Sequence, residues 1–398
     1  MAQTIVLQPP THHEDDPNAS HHVHWVELFY DLIQVVCIFQ LGNLLGYHHD
    51  FQSFLIYVGL FIAIWVSWAA TVFYTSLYIT NDVPHRLLMA LQIVGICIMA
   101  IALGQIPGVG IYYFAVAFAV VRGILALLYW RAGYYSKSTA QLSRRFAGLF
   151  ITVSVAVVLA TFLPYPLNYL AWTLILLAEQ LAFVWPKVGL MSDDRFKPRL
   201  VHLSERFTLL FLIVMGEGFF KLVLTLSEQG IQNLDWNDYI NATLGCLWLF
   251  SLTWIYFDFV GNGRIKPDNC HMILWWYGHL LLMLGASMNT VAIKGLMTAE
   301  LLAPFPMEYG WLGCLGLIWF LIATILIQAA IKQHTAHQFY SLRLRLFGIG
   351  LALLTWILGS RVPAWFSISL FIIAYASQIA SPLYHALRGT TPKGATPI

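Results

Sequence analysis

Apolar runs of membrane-spanning length dominate this chain and leave few folds open to it. A helix crosses a hydrocarbon core about 30 Å thick with about 20 mostly apolar residues. The 398-residue sequence supplies twelve such stretches: 24–45, 53–79, 84–106, 108–130, 144–163, 165–185, 200–226, 237–260, 270–295, 308–330, 341–358 and 363–386. Only 10% of the residues are charged, 21 Lys or Arg against 19 Asp or Glu, where a soluble domain spends about 25%. The mean hydropathy is +0.71. So few charges cannot cover a water-soluble protein of this size, and the same numbers exclude intrinsic disorder. A net charge of +2 argues against a nucleic-acid surface. The expected fold is all-α, a polytopic transmembrane helical bundle in contact with the lipid bilayer.

Glycine and proline punctuate the runs. Pro164-Tyr165-Pro166 splits an apolar stretch into a tight helical hairpin, and Gly359 to Pro363 does the same near the end. Basic residues then test the count. With twelve spans one side of the membrane holds Arg86; Arg131, Lys137, Arg144, Arg145; Lys187, Arg195, Lys197, Arg199; Arg264, Lys266; Lys332, Arg343, Arg345; Arg388 and Lys393, while the other holds Arg361. Sixteen against one is expected to place both termini on the cytoplasmic side of the membrane. Arg122, Arg206, Lys221 and Lys294 fall within spans.

The five cysteines show no CxxC or zinc-ligand spacing, and four lie in apolar runs, where free Cys behaves as a small hydrophobe. The first 23 residues carry no Lys or Arg and so lack the basic region of a signal peptide. They form a polar, His-rich tail, expected to be disordered. The organisation expected is this tail (1–23), a six-helix half (24–186), a second six-helix half (200–388) and a short cytoplasmic tail (389–398).

Three motif pairs suggest that the halves are related. His24-x-x-Glu27-x-Phe29 opens span one and His202-x-x-Glu205-x-Phe207 opens span seven. Asp82-x-x-His85 and Asp268-x-x-His271 open spans three and nine, and Leu142-Ser-Arg-Arg145 and Leu342-Arg-Leu-Arg345 introduce spans five and eleven. Their common order favours duplication of a six-span unit, in parallel orientation because six is even.

Charge at membrane depth is costly, so its placement is informative. On span one His24, Glu27, Asp31 and Gln34 share a helical face, which must look into a bundle interior or a wet cavity. Span seven carries Glu205 and Arg206, then Glu217 and Lys221 in an i, i+4 pair that can neutralise itself. Gly216 and Gly218 flank Glu217 and permit close approach of another helix or a solute. Glu179, Asp258, His279 and Lys294 are further intramembrane candidates. The His-x-x-Glu and Asp-x-x-His elements admit a metal reading through His24, His85, His202 and His271. Against it, Asp82 and Asp268 stand where helix N-caps belong. No nucleotide loop, Ser–His–Asp ordering or HExxH motif is present, and no cofactor is implied.

Glu27-Leu-Phe-Tyr-Asp-Leu32 resembles the signature that opens the bacterial low-temperature-requirement A (LtrA) family. The stretch from Trp65 through Trp68 and Tyr74 to Asp82 and Arg86 resembles that family's second and third spans, and His202-Leu-Ser-Glu-Arg-Phe207 with Gly216-Glu217 resembles its later motif. Gln34 and Gly218 depart from the family pattern. The resemblance implies a bacterial multi-pass membrane protein connected with growth in the cold, and it supplies no substrate. The residues themselves suggest a non-enzymatic proton-coupled transporter of an unknown small solute or ion, with Glu27, Asp31, Glu205 and Glu217 as coupling groups. The alternatives are an ion channel, since Phe29-Tyr-Asp31 is similar to an element of two-repeat endolysosomal potassium channels, and a metal-dependent membrane enzyme or sensor.

Overall fold

The computed structural model describes residues 6–15, 23–47, 50–184, 197–261, 263–332 and 335–387. Among these, twelve α-helices follow one another: α1 Trp25–Tyr47, α2 Phe51–Leu77, α3 Val83–Leu103, α4 Gly110–Tyr135, α5 Ala140–Thr161, α6 Leu167–Val184, α7 Leu200–Gln229, α8 Trp236–Tyr256, α9 Asn269–Met297, α10 Met307–Ala330, α11 Thr335–Leu358 and α12 Ala364–Leu387. Eleven are long and apolar enough to cross a membrane, and α12 carries a shorter apolar stretch, Ala364–Ala380. The chain is therefore an all-α polytopic bundle, as its apolar periodicity predicts.

Helix starts follow from local chemistry. Asp50, Asp82, Asp235 and Asp268 each accept a hydrogen bond from the backbone N–H three residues on, which satisfies a donor the first turn would leave unpaired. Pro84 in the first turn of α3 forfeits no intrahelical bond. The α5–α6 turn at 162–166 and the α11–α12 turn at 359–363 fall where proline and glycine predict them.

The chain divides into two compact units, Met1–Leu210 and Phe211–Ile398. The division lies inside α7, not in the loop before it, because the first turns of α7 bond to α1 and α2. In unit 1, α1 packs on α2 and α3; α3, α4, α5 and α6 follow in series; α2 also touches α4 and α6. In unit 2, α9 and α10 form the most intimate pair, and the order α8, α9, α10, α11, α12 closes back on α8. The most enclosed helices are α2 and α9. They hold different places in the two halves, so the proposed duplication rests on the motif pairs alone.

The N-terminal segment departs from the expected disorder over residues 6–15. Strand β1 (Thr11–His12) pairs antiparallel with β2 (Tyr78–Ile79), which continues α2. The Gln8 N–H donates to Asp82 Oδ2 at 3.0 Å and Arg131 Nη2 donates to the Gln8 carbonyl at 3.1 Å. His13 Nε2 donates to the Lys197 carbonyl at 2.8 Å, and Ser138 Oγ to Asp15 Oδ2 at 3.1 Å. Backbone groups left over at the end of α2 take up the segment. His21, His22 and residues 389–398 lie outside the described residues. A second short pair, β3 (Arg264–Ile265) and β4 (Ile331–Lys332), joins the ends of α8 and α10.

Candidate functional site

Helix α1 buries three polar side chains among its apolar ones and turns large apolar residues outward, as a helix facing lipid can. Glu27, Asp31 and Gln34 are 5%, 0% and 1% exposed, while Trp25, Leu28, Phe29, Leu32 and Val36 face outward. The two carboxylates meet the first turns of α7. Arg206, fully buried, grips Asp31 side-on, Nε to Oδ2 and Nη2 to Oδ1, both at 2.6 Å. Trp68 Nε1 on α2 donates to the same Asp31 Oδ1 at 2.7 Å. Arg206 Nη1 donates to Thr75 Oγ1 at 3.2 Å and lies 3.6 Å from Glu27 Oε1. This fork-to-carboxylate geometry is the strongest pairing an arginine makes. Trp65 and Trp68 meet Phe207 in edge-type ring contacts, with centroids 6.2 and 4.8 Å away.

Glu27 has a different set of partners. Its Oε2 accepts from the His24 backbone N–H at 3.0 Å and lies 3.1 Å from His202 Nε2. The other imidazole nitrogen, Nδ1, lies 3.1 Å from Ser76 Oγ, and Ser76 also reaches the Val72 carbonyl at 2.8 Å. Ser76 has one hydroxyl proton for two positions. If it goes to His202 Nδ1, the imidazole is neutral and donates from Nε2 to Glu27. If it turns to Val72, Nδ1 donates to Ser76 and His202 is an imidazolium between a hydroxyl and a carboxylate. The partners for both protonation states are therefore in place.

Further buried polar groups continue through unit 1. Tyr30 Oη donates to Thr71 Oγ1 at 3.2 Å, and Gln92 Nε2 donates to the Val121 carbonyl at 3.1 Å. Gln34 donates to the Ile64 carbonyl at 3.1 Å, which accounts for this polar residue on a mostly apolar helix. On α4 and α6, Arg122 and Glu179 form an ion pair, both almost wholly buried, with the Arg122 guanidinium 4.4 Å from the Phe150 ring centroid.

The other expected carboxylates have different surroundings. Glu205 is exposed, one position from buried Arg206. Glu217 pairs with Lys221 at 2.5 Å on α7, within unit 2. A Cβ on Gly218 would come within 2.8 Å of Leu249 and 2.9 Å of Thr290, so this glycine serves helix approach, whereas a Cβ on Gly216 would meet nothing within 4 Å. For the metal reading, Asp82 and Asp268 are engaged as N-caps, Asp82 also with Arg131 and Asp268 with the His271 ring. Among the described residues no three His, Cys, Asp or Glu side chains gather to hold an ion. Sequence reasoning missed Trp68, Thr75 and Ser76 as site residues. The signal was a row of hydroxyls, Thr71, Thr75 and Ser76, on one of the most apolar helices.

These features define a polytopic helical membrane protein with an ionisable cluster buried in its first half. The chain matches the family model described as Bacterial low temperature requirement A protein (LtrA) over residues 22–343, and it belongs to that family. It is also similar to a protein of Rhizobium meliloti (strain 1021) described as uncharacterized, with 27% identity over 329 residues covering 73% of this chain and 76% of the relative.

Proposed function

We propose that this protein is a proton-coupled secondary transporter of a small solute or ion in the bacterial inner membrane, with both termini cytoplasmic. The coupling element is Glu27, Asp31, His202 and Arg206. One observation carries the reading: two buried carboxylates share one permanently charged arginine and one titratable imidazole. Asp31 and Arg206 neutralise each other in their side-on pair. The charge of Glu27 is then matched inside the cluster only when His202 holds a second proton. In a low-dielectric interior that mismatch is costly, so the cluster takes up or releases a proton as its surroundings change. His85 and the half-buried Arg199, which donates to the Thr75 and Ser76 carbonyls at the rim, also lie within electrostatic reach of Glu27.

Position supports the same reading. The cluster lies at the start of α1 and α7 and the end of α2, the end of unit 1 that carries the basic loops. A proton can enter there from the cytoplasm, while the solute-dependent step draws on the deeper polar groups. The test is flux into proteoliposomes under an imposed pH gradient, across amino acids, carboxylates, sugars and monovalent cations. Gradient-driven uptake of one class, abolished by Glu27→Gln and kept in Glu205→Gln, is the expected result. Absence of uptake for every class would remove the proposal. Unitary currents in planar bilayers would replace it with a channel.

A further inference from the structure

Unit 2 buries an arginine that has no acidic partner among the described residues. Arg345 on α11 is 0% exposed. Its Nη1 donates to Gln378 Oε1 on α12, and its guanidinium carbon lies 4.1 Å from the centroid of the Phe259 ring. The orientation of Gln378 is fixed, because the two N–H groups of Nε2 are shared among three acceptors, the Leu344 carbonyl at 2.7 Å, the Ala374 carbonyl at 3.1 Å and Ser377 Oγ at 3.1 Å. Gly348 makes room for that amide: a Cβ there would sit 2.8 Å from Gln378 Nε2. The arginine is thus held in place by a neutral amide and a ring face.

The other edge of the guanidinium, Nε and Nη2, meets no hydrogen-bond acceptor among the described residues. The sequence explains why. No Asp or Glu follows Glu308, so α11, α12 and nearly all of α10 are without a carboxylate. Arginine does not escape by losing its proton, and an unpaired buried guanidinium is among the costliest groups a helix bundle can hold. A single ring face offsets only part of that cost. The other fully buried arginines of this chain each have an acid, Arg122 with Glu179 and Arg206 with Asp31. Arg206 holds Asp31 with the same Nε and Nη2 edge that in Arg345 meets no partner among the described residues.

We propose that Arg345, oriented by Gln378, binds an exogenous oxyanion group, a carboxylate or a phosphate, side-on through Nε and Nη2. The residue lies only three positions inside the apolar part of α11, which begins at Leu342, about 5 Å along the axis. A free anion and the phosphate of an anionic lipid can both be brought to that depth. The site is in unit 2 and does not depend on the proton-coupled reading of unit 1.

The test is thermal unfolding of the full-length protein, stripped of lipid, in a neutral maltoside detergent with chloride as the only small anion. Sodium acetate, sodium phosphate and phosphatidylglycerol are then titrated in separate arms. A saturable rise in Tm with acetate or phosphate identifies a free anion, and a rise with phosphatidylglycerol alone identifies a lipid; either supports the site. Arg345→Gln should remove the response, and in chloride alone should melt no lower than the parent because it deletes an unpaired buried charge. Arg345→Lys keeps the charge without the fork, so its half-saturating concentration should rise at least about tenfold. A parent protein unmoved by all three probes would overturn the proposal, as would a variant that responds like the parent.

Discussion

At the residue scale, the cluster on α1 and α7 depends on complementary burial. Asp31 and Arg206 are both fully buried, so neither can lose its partner cheaply. Asp31→Asn leaves the guanidinium without a carboxylate and should destabilise the protein by about 3 kcal/mol. Adding Arg206→Met should restore most of that loss, because replacing a whole buried pair by apolar groups is close to neutral. Unfolding midpoints of the two variants in detergent check both statements; a double variant no more stable than the single would contradict them. The sequence reveals half of this arrangement. The i, i+3, i+7 spacing on α1 says that Glu27, Asp31 and Gln34 share a face and that the face is internal. It cannot name partners 175 residues away, because spacing fixes direction and tertiary packing fixes distance. Glu205 and Arg206 show the same limit. They are neighbours in sequence, but 100° of helix rotation puts one outside and the other at the centre of the site. Arg345 reads as a loop charge marking one side of the membrane; its burial depends on Gln378 and Phe259, which sequence proximity does not reveal.

Whole elements were more legible than their contacts. Apolar length, with proline, glycine and N-cap aspartates as punctuation, locates all twelve helices, though α11 begins six residues before its expected span, because membrane insertion makes hydropathy the dominant local term. The two-residue strands were not legible, since they exist only where chain ends are brought side by side. Helix crossings in unit 2 depend on residues too small for a pattern to weigh. A Cβ on Gly285 would lie 2.7 Å from the Gly316 carbonyl oxygen and 2.8 Å from the Phe320 nitrogen, both backbone atoms. The α9–α10 crossing is therefore a close backbone approach of the small-residue kind. Gly285→Ala should cost about 1–3 kcal/mol through forced separation of the two helices. Gly59→Ala on α2, where a Cβ would meet nothing within 4 Å, should be close to neutral. Equal stability losses at the two positions, measured by thermal unfolding, would contradict the crossing geometry.

At the scale of the whole molecule, the docked N-terminal segment and the membrane orientation make separate predictions. Burial holds the His13 imidazole below its ordinary value of 6.5, against the Lys197 carbonyl, which raises it. Burial raises the Asp82 carboxyl, but hydrogen bonds from Arg131 and from the Gln8 and His85 amides bring it below the usual range. Both groups bind protons more readily when the segment is released, so docking is favoured at higher pH and weakens on acidification. The His13 contribution should fall away first, below pH 6.5, and that of Asp82 only at much lower pH. Hydrogen exchange over residues 8–15, corrected for intrinsic rates, should speed up between pH 7.5 and 5.5; unchanged exchange would contradict this. Orientation is checked in a cysteine-free background, where Arg361→Cys should react with an impermeant maleimide on intact cells and Lys137→Cys should not. The opposite pattern would invert the proposed topology. The central claim is that a proton moves with a solute through the Glu27–His202 pair. Its most direct measurement is the internal pH of proteoliposomes loaded with pyranine, held at an inside-negative potential, as candidate solutes are added outside. The account predicts solute-dependent acidification that disappears in Glu27→Gln and His202→Gln but persists in Glu205→Gln. Acidification that is the same in all four proteins, or that no solute elicits, would contradict it.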